Sequence, residues 1–404
     1  MKACGLIVEY NPFHNGHVYH IQEAKKTAEA DCMIAVMSGD FLQRGEPAII
    51  DKFHRVRAAL ASGIDLVLEL PYPYAVQSSD LFAKGSVQTL YQAGVDSICF
   101  GSESGDISHF ITSYEIFKEN EAGFKEMLQS GLQNGLSFPE ASRHAYEKIG
   151  LSGGEMDLTK PNNILGFSYV KEILEQQLPI KPLTITRTSS GYHQQTISGS
   201  IASATSIRKE LLTHESITKT ANDTMPAATI KQLKDYISHA SSWHTWENYF
   251  QLVYYRVMTM SEQELAAIHG VDEGLEFRIK KTAKQAESFH DWIEKIKTKR
   301  YTWTRLQRIF VHILTNTKKS DIKDIESGST VPYIRLLGMT KTGQNYLNKI
   351  KQNMEIPIIS SFSRNKHPVQ QLEEKAVKAY YSILCPKNRQ ELFKQELLAP
   401  IITE

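Results

Sequence analysis

The side chains in this chain best placed for chemistry are two histidines three residues apart with a glycine between them, in His14-Asn15-Gly16-His17. Before them the chain reads as a short apolar strand, Cys4-Gly5-Leu6-Ile7-Val8, and a turn, Glu9-Tyr10-Asn11-Pro12-Phe13. After them a helix begins near His17, since Val18, Ile21, Ala24 and Ala28 form one apolar stripe. A strand running into a helix N-terminus suits an anion. The free N–H groups and the positive end of the helix dipole face it, and Gly16 allows close backbone approach. Two imidazoles in the same turn can donate hydrogen bonds to oxygens whose charge grows as a nucleophile attacks phosphorus. The pattern indicates a nucleotide-handling site, and the alternative is a pair of histidines satisfied in a surface turn.

The elements that must hold this turn alternate. Residues 32–37 are continuously apolar, which suits a central parallel strand covered on both faces. Asp51 reads as the N-cap of a helix through Ala61 that ends at Gly63. A third strand, 65–70, stops at Pro71, a helix spans 79–93, and 96–100 is a fourth strand. Residues 106–160 read as a helical insertion. Asn162 then opens a helix to about Gln176, and 182–187 is the fifth strand. This alternation predicts an α/β fold with a doubly wound, five-stranded parallel sheet, whose ligands bind outside the carboxyl ends of the strands.

At those ends lie the other candidates. The loop after the second strand, Ser38-Gly39-Asp40-Phe41-Leu42-Gln43-Arg44-Gly45, holds an acid, an amide and a guanidinium. The loop after the fourth, from Gly101 to Gly105, can offer amides to phosphate or room to a base, or be only a turn. Arg187 ends the fifth strand as a bidentate phosphate partner or a plain surface arginine. Ser203-Ala204-Thr205-Ser206-Ile207-Arg208 places hydroxyls at a helix start with an arginine one turn in, a second anion site.

Length and composition bound the rest. The 404 residues suffice for two or three domains, and 41% apolar with 23% charged residues is ordinary for a globular protein. With no run of eighteen apolar residues and no signal-peptide pattern, a cytoplasmic protein without a membrane span is expected. Four cysteines without a C-x-x-C pair indicate neither zinc nor a disulfide framework, and no metal-ligand set is visible. Residues 1–215 read as the catalytic domain, the polar stretch 216–229 as a linker and 230–404 as a basic, mainly helical domain. Net charge is +1 overall, but residues 275–310 carry 10 Lys+Arg against 4 Asp+Glu. Lys295, Lys297, Lys299, Arg300, Arg305 and Arg308, interleaved with Tyr301 and Trp303, suggest RNA binding. Residues 331–353 add a second basic tract. The absence of G-x-G-x-x-G, Walker A, H-E-x-x-H and G-x-S-x-G patterns removes support for dehydrogenase, P-loop, zinc-protease and α/β-hydrolase readings.

Asn11-Pro12-Phe13-His14-Asn15-Gly16-His17 resembles the signature of the HIGH-motif nucleotidyltransferases, which have a HUP-like fold. Residues 202–208 resemble their I-S-S-T-x-I-R motif, with Ala202 and Ala204 replacing the isoleucine and the second serine. Together with Met37-Ser38-Gly39-Asp40-Phe41 and Lys160-Pro161-Asn162-Asn163-Ile164-Leu165-Gly166, they make the chain similar to the bacterial tRNA(Met) cytidine acetate ligase family over essentially its whole length. The resemblance implies that ATP and acetate form acetyl-adenylate, whose acetyl group passes to the wobble cytidine of elongator tRNA(Met) as N4-acetylcytidine. It implies an ATP site made of Ile7, Val8, Glu9, Tyr10, Asn11, Pro12, Phe13, His14, Asn15, Gly16, His17 and His20 with Gly101, Asn162, Arg187, Ser203, Thr205 and Arg208, and Mg²⁺ arriving with ATP. His14 and His17 would stabilise the α-phosphate. As expectations of our own, Arg44 or Gln43 orients acetate and Asp40 takes the proton from the attacking amine. An adenylyltransferase with a small acceptor and a non-catalytic RNA-binding protein are the alternatives, and the oligomeric state stays open.

Overall fold

The computed structural model describes residues 1–153, 156–186, 201–328, 330–362 and 366–404. Its strands are β1 (Ala3–Val8), β2 (Cys32–Ser38), β3 (Leu66–Leu70), β4 (Ser97–Ser102), β5 (Lys181–Thr186), β6 (Ile334–Met339), β7 (Ile358–Ile359) and β8 (Ile401–Ile402). In the first half the helices are α1 (Asn15–Ala28), α2 (Lys52–Leu60), α3 (Tyr72–Ala75), α4 (Ser79–Gln92), α5 (Ile107–Glu119), α6 (Glu121–Gln133), α7 (Phe138–Lys148), α8 (Pro161–Glu175) and α9 (Ala204–His214). The second half holds α10 (Lys219–Asn222), α11 (Ala227–Ala240), α12 (Trp246–Thr259), α13 (Glu262–Ala266), α14 (Leu275–Ala283), α15 (Phe289–Ile296), α16 (Trp303–Thr315), α17 (Lys319–Ser327), α18 (Lys341–Ile350), α19 (Pro368–Tyr381) and α20 (Pro386–Phe393).

The first five strands are parallel and lie in the order β5-β4-β1-β2-β3. Every residue of β2 is buried, as a strand covered on both faces requires. Asp51 caps α2 by accepting the His54 N–H at 2.9 Å. Strand order reverses at β1, with β4 on one side and β2 on the other, so a crevice opens at its carboxyl end. The His14–His17 turn stands there.

The sheet does not stop at five strands. β6 joins β3 antiparallel, with Glu69 opposite Arg335, and β7 and β8 both pair with β6. The second basic tract therefore includes a buried strand. Arg335 is 1% exposed and places its Nη1 2.8 Å from Glu69 and its Nη2 2.5 Å from Glu396. Lys52 joins the same cluster, its Nζ 2.5 Å from Glu69, 2.9 Å from Glu396 and 3.3 Å from Glu373. Sequence spacing could not reveal these charges as partners, because they are brought together from α2, β3, β6, α19 and the C-terminal segment. The stretch 216–229 is also not a free tether. Ala221 and Thr224 are buried, and the Thr224 carbonyl accepts the Asn15 N–H at 2.9 Å. Its threonines read as linker because they serve as local caps, Thr218 accepting from the Ala221 N–H and Thr224 donating to the Ala221 carbonyl. Among the described residues no helix is long and apolar enough to cross a membrane.

Candidate functional site

A cleft of about 390 Å³ lies at the carboxyl end of β1, and it is walled by strand-end loops and by the starts of α1 and α9. That volume is in the range of nucleotide and cofactor sites. A shallower groove of about 300 Å³ beside Asp80 and Glu175 gathers no strand-end loop.

His14 and His17 both line the cleft, their rings stacked with centroids 3.7 Å apart. The Gly16 N–H donates to His14 Nδ1 at 3.1 Å, and the His14 N–H donates to His17 Nδ1 at 3.2 Å. A ring nitrogen that accepts from a backbone N–H carries no proton, so the proton of each neutral imidazole sits on Nε2. This network thus assigns both rings the tautomer that can donate from Nε2. Gly16 is required here, because a Cβ would stand 2.9 Å from His14 Cε1. The starts of α1 and α9 converge on the cleft, adding two positive helix termini.

Ile7, Val8, Glu9, Tyr10, Asn11, Gly16 and His20 of the first segment also line the cleft. Pro12, Phe13 and Asn15 stand behind its wall. Phe13 packs edge-on to Tyr10 at 4.6 Å, and Asn15 donates from Nδ2 to the Asp223 carbonyl at 3.2 Å. Burial raises the Glu9 carboxyl above its ordinary value, opposed by the Gln43 N–H it accepts at 2.8 Å and by Arg44. Gly101, Asn162, Ser203, Thr205 and Arg208 are on the cleft as well. Asn162 Nδ2 donates to Glu103 Oε1 at 2.6 Å, tying the loop after β4 to the start of α8. Ser203 caps α9 by accepting the Ser206 N–H at 3.1 Å. Arg187 lies outside the described residues.

Gln43 and Arg44 line the cleft, but Asp40 does not share their position. Asp40 is 2% exposed and accepts the Lys52 N–H through Oδ1 at 2.9 Å, while its backbone carbonyl takes the Ala48 N–H. Burial pushes its carboxyl up to about 7, with Lys52 acting in the opposite direction. The expected amine base is therefore a buried structural group: the loop turns outward only after Asp40. Sequence reading also missed Glu46, Tyr19 and an apolar wall formed by Phe82, Phe100, Leu165 and Tyr169. The available signal was Gly166, whose absent side chain lets α8 lie against Phe100.

The basic residues of the helical half divide. Lys295 pairs with Asp291, Lys297 lies 3.7 Å from Glu294, Arg300 pairs with Glu273, and Arg305 lies 3.9 Å from Asp272. The charge excess read from 275–310 is offset in part by Asp272 and Glu273, just outside that window. Tyr301 is buried beneath Arg305, which removes it as a base-stacking platform. Lys299 is exposed. Arg308 approaches the Gln43 carbonyl at 3.5 Å, and burial together with Arg305 and Arg44 pushes its guanidinium down to about 10. Gly45 lies so near the Arg308 backbone that a Cβ would stand 2.3 Å from its nitrogen. Arg308 thus joins the helical half to the cleft loop.

Paired donor imidazoles and two helix N-termini at the switch point of a parallel sheet define a HIGH-type nucleotidyltransferase, and the HIGH Nucleotidyl Transferase family model matches residues 1–396. The chain is 56% identical over 402 residues to a tRNA(Met) cytidine acetate ligase of Oceanobacillus iheyensis, covering 100% of both chains. It is 45% identical to the Bacillus subtilis protein of that name, covering 94% of this chain and 92% of the relative. It also superposes on Thermotoga maritima TmcAL bound with alpha-thio ATP with a TM-score of 0.89, at 31% identity, covering 100% of this chain and 99% of that one. The chain belongs to the tRNA(Met) cytidine acetate ligase family.

Proposed function

We propose that this chain activates acetate with ATP and transfers the acetyl group to N4 of the wobble cytidine of elongator tRNA(Met). The observation that carries this reading is the stacked pair His14 and His17, both with Nδ1 engaged by backbone N–H groups, in a cleft where α1 and α9 begin. An acetate oxygen attacks the α-phosphorus, a new P–O bond forms, and the bond to the β-phosphate oxygen breaks, releasing pyrophosphate. Negative charge grows on the α-phosphoryl oxygens in that step, and the two Nε2–H groups meet it. The cytidine amine then attacks the acetyl carbon, the C–O bond to phosphate breaks, and AMP leaves as the amine gives up a proton. Adenylation is needed because a bare carboxylate has no adequate leaving group.

Arg208 and the amides at the start of α9 hold phosphate oxygens, and Arg44 or Gln43 orients acetate. Phe82, Phe100 and Tyr169 give a base an apolar wall. The tRNA approaches along α16, where Arg308 adjoins the cleft loop, and past the loop before it, where Lys299 offers an exposed charge. Mg²⁺ would enter on the triphosphate. Action on tRNA supports a cytoplasmic location.

Acetate-dependent exchange of labelled pyrophosphate into ATP, followed by transfer of labelled acetyl to elongator tRNA(Met), tests the reading. Exchange with acetate but not glycine, and label on the tRNA with release of AMP, are expected. No exchange, or AMP retained on the acceptor, overturns it.

A further inference from the structure

Glu46 puts a carboxylate into the cleft proposed for a triphosphate, where an acid repels the ligand unless it performs a service. Its surroundings indicate that service. Arg208 donates through Nη1 to the Asn11 carbonyl at 2.9 Å and through Nη2 to Glu46 Oε2 at 2.9 Å. The Arg208 and Glu46 side chains are only 19% and 31% exposed. A guanidinium has five N–H donors, and these two contacts leave three for an incoming anion.

Both supports of Arg208 are themselves fixed. Asn11 accepts the Ile49 N–H through Oδ1 at 2.8 Å. Glu46 belongs to a loop closed by the Phe41–Pro47 bridge, and its carbonyl accepts the Leu42 N–H at 2.9 Å. From the helical half, Trp246 Nε1 donates to the Gly45 carbonyl at 2.8 Å. A carboxylate carried on an anchored loop and a held backbone carbonyl therefore grip two nitrogens of one guanidinium, which orients its plane before the ligand arrives.

We propose that Glu46 is the positioning residue of Arg208, holding the guanidinium so that its remaining donors bind phosphate oxygens of ATP. This rests on the ATP site of the proposed function. A positioning carboxylate lowers the ordering cost of ligand binding, whereas a carboxylate that merely occupies Arg208 in the free protein competes with the ligand. The two roles have opposite signs, so they can be separated.

The test is a double-mutant cycle on the full chain with Glu46→Gln, Arg208→Ala and the pair. It is read as the Kd for ATP, the KM values for ATP and acetate in pyrophosphate exchange, and Tm. We expect Glu46→Gln to weaken ATP binding about tenfold, the size of one lost charge-assisted hydrogen bond, with the acetate KM and Tm little changed. In the Arg208→Ala background the same substitution adds nothing, and Glu46→Asp recovers part of the loss. Tighter ATP binding by Glu46→Gln overturns the proposal, as does an equal loss in both backgrounds or a shift confined to Tm. Failure of the unmodified protein to bind ATP would instead overturn the assignment of the cleft itself.

Discussion

A histidine is a useful catalyst only if its proton is on the right nitrogen, and here the backbone decides that. Because Gly16 and His14 N–H groups occupy both Nδ1 positions, the rings cannot donate from any nitrogen but Nε2 while neutral. His14→Ala removes one donor to the growing charge, so adenylation should fall on the order of 10²–10³-fold, measured as pyrophosphate exchange, while loss of its cap on α1 lowers stability by only about 1 kcal/mol. An unchanged rate removes His14 from the transition state. Asp40→Asn should do the reverse. Asn keeps an oxygen for the Lys52 N–H but removes the carboxylate 4.0 Å from Lys52 Nζ and from Arg55 Nη2, so the effect should appear as lower Tm above about pH 7, where Asp40 is charged, while acetyl transfer from preformed acetyl-adenylate keeps its rate. The histidine turn was legible in the sequence because strand, turn and helix impose a local geometry within seventeen residues. Asp40 was misread because residue type and loop position do not say which way a side chain turns, and its partner Lys52 is twelve residues on.

At the scale of elements, what the sequence showed was the repeated unit of apolar strand and amphipathic helix. Every one of the first five strands announces itself that way. β6 did not, because Arg335 interrupts its apolar run and its countercharges, Glu69 and Glu396, lie far away in the chain. The apolar wall of the cleft was equally silent, since Phe82, Phe100 and Tyr169 look like ordinary core until α4, β4 and α8 are assembled. Gly166 makes that assembly testable. A Cβ there would stand 2.4 Å from Phe100 Cε2 and 2.8 Å from Phe110 Cε1, so Gly166→Ala must push the rings aside. Overpacking of this kind costs about 1–3 kcal/mol. Denaturant unfolding should show that loss together with a raised KM for ATP, because Phe100 and Gly166 both face the cleft. A loss of stability with unaltered KM would mean that the base does not lie against this wall.

Across the whole molecule the buried charges and histidines set opposing limits on stability. Burial holds His244 down to about 3 and His269 down to about 4, and it holds His312 well below its ordinary value. Unfolding below about pH 6.5 therefore takes up nearly three protons, and stability falls as pH falls. Glu373 is pushed up to about 8, by burial and then Glu69, and Asp40 up to about 7, by burial. These two hold protons in the folded state that the unfolded chain has released, so stability falls as pH rises from about 4.5 toward 8. Near pH 5 the three histidines outweigh the two acids, so stability there rises with pH. Near pH 7 the acids win, which places maximal stability at about pH 6 to 6.5. Glu373→Gln removes one of the two acids from the balance, so the maximum should move up by about one pH unit. Tm measured from pH 5 to 9 on both proteins decides the matter. A maximum that stays in place would show that Glu373 is charged in the folded protein, and that the cluster joining α2, β3, β6 and α19 is held by a full set of ion pairs rather than by a shared proton.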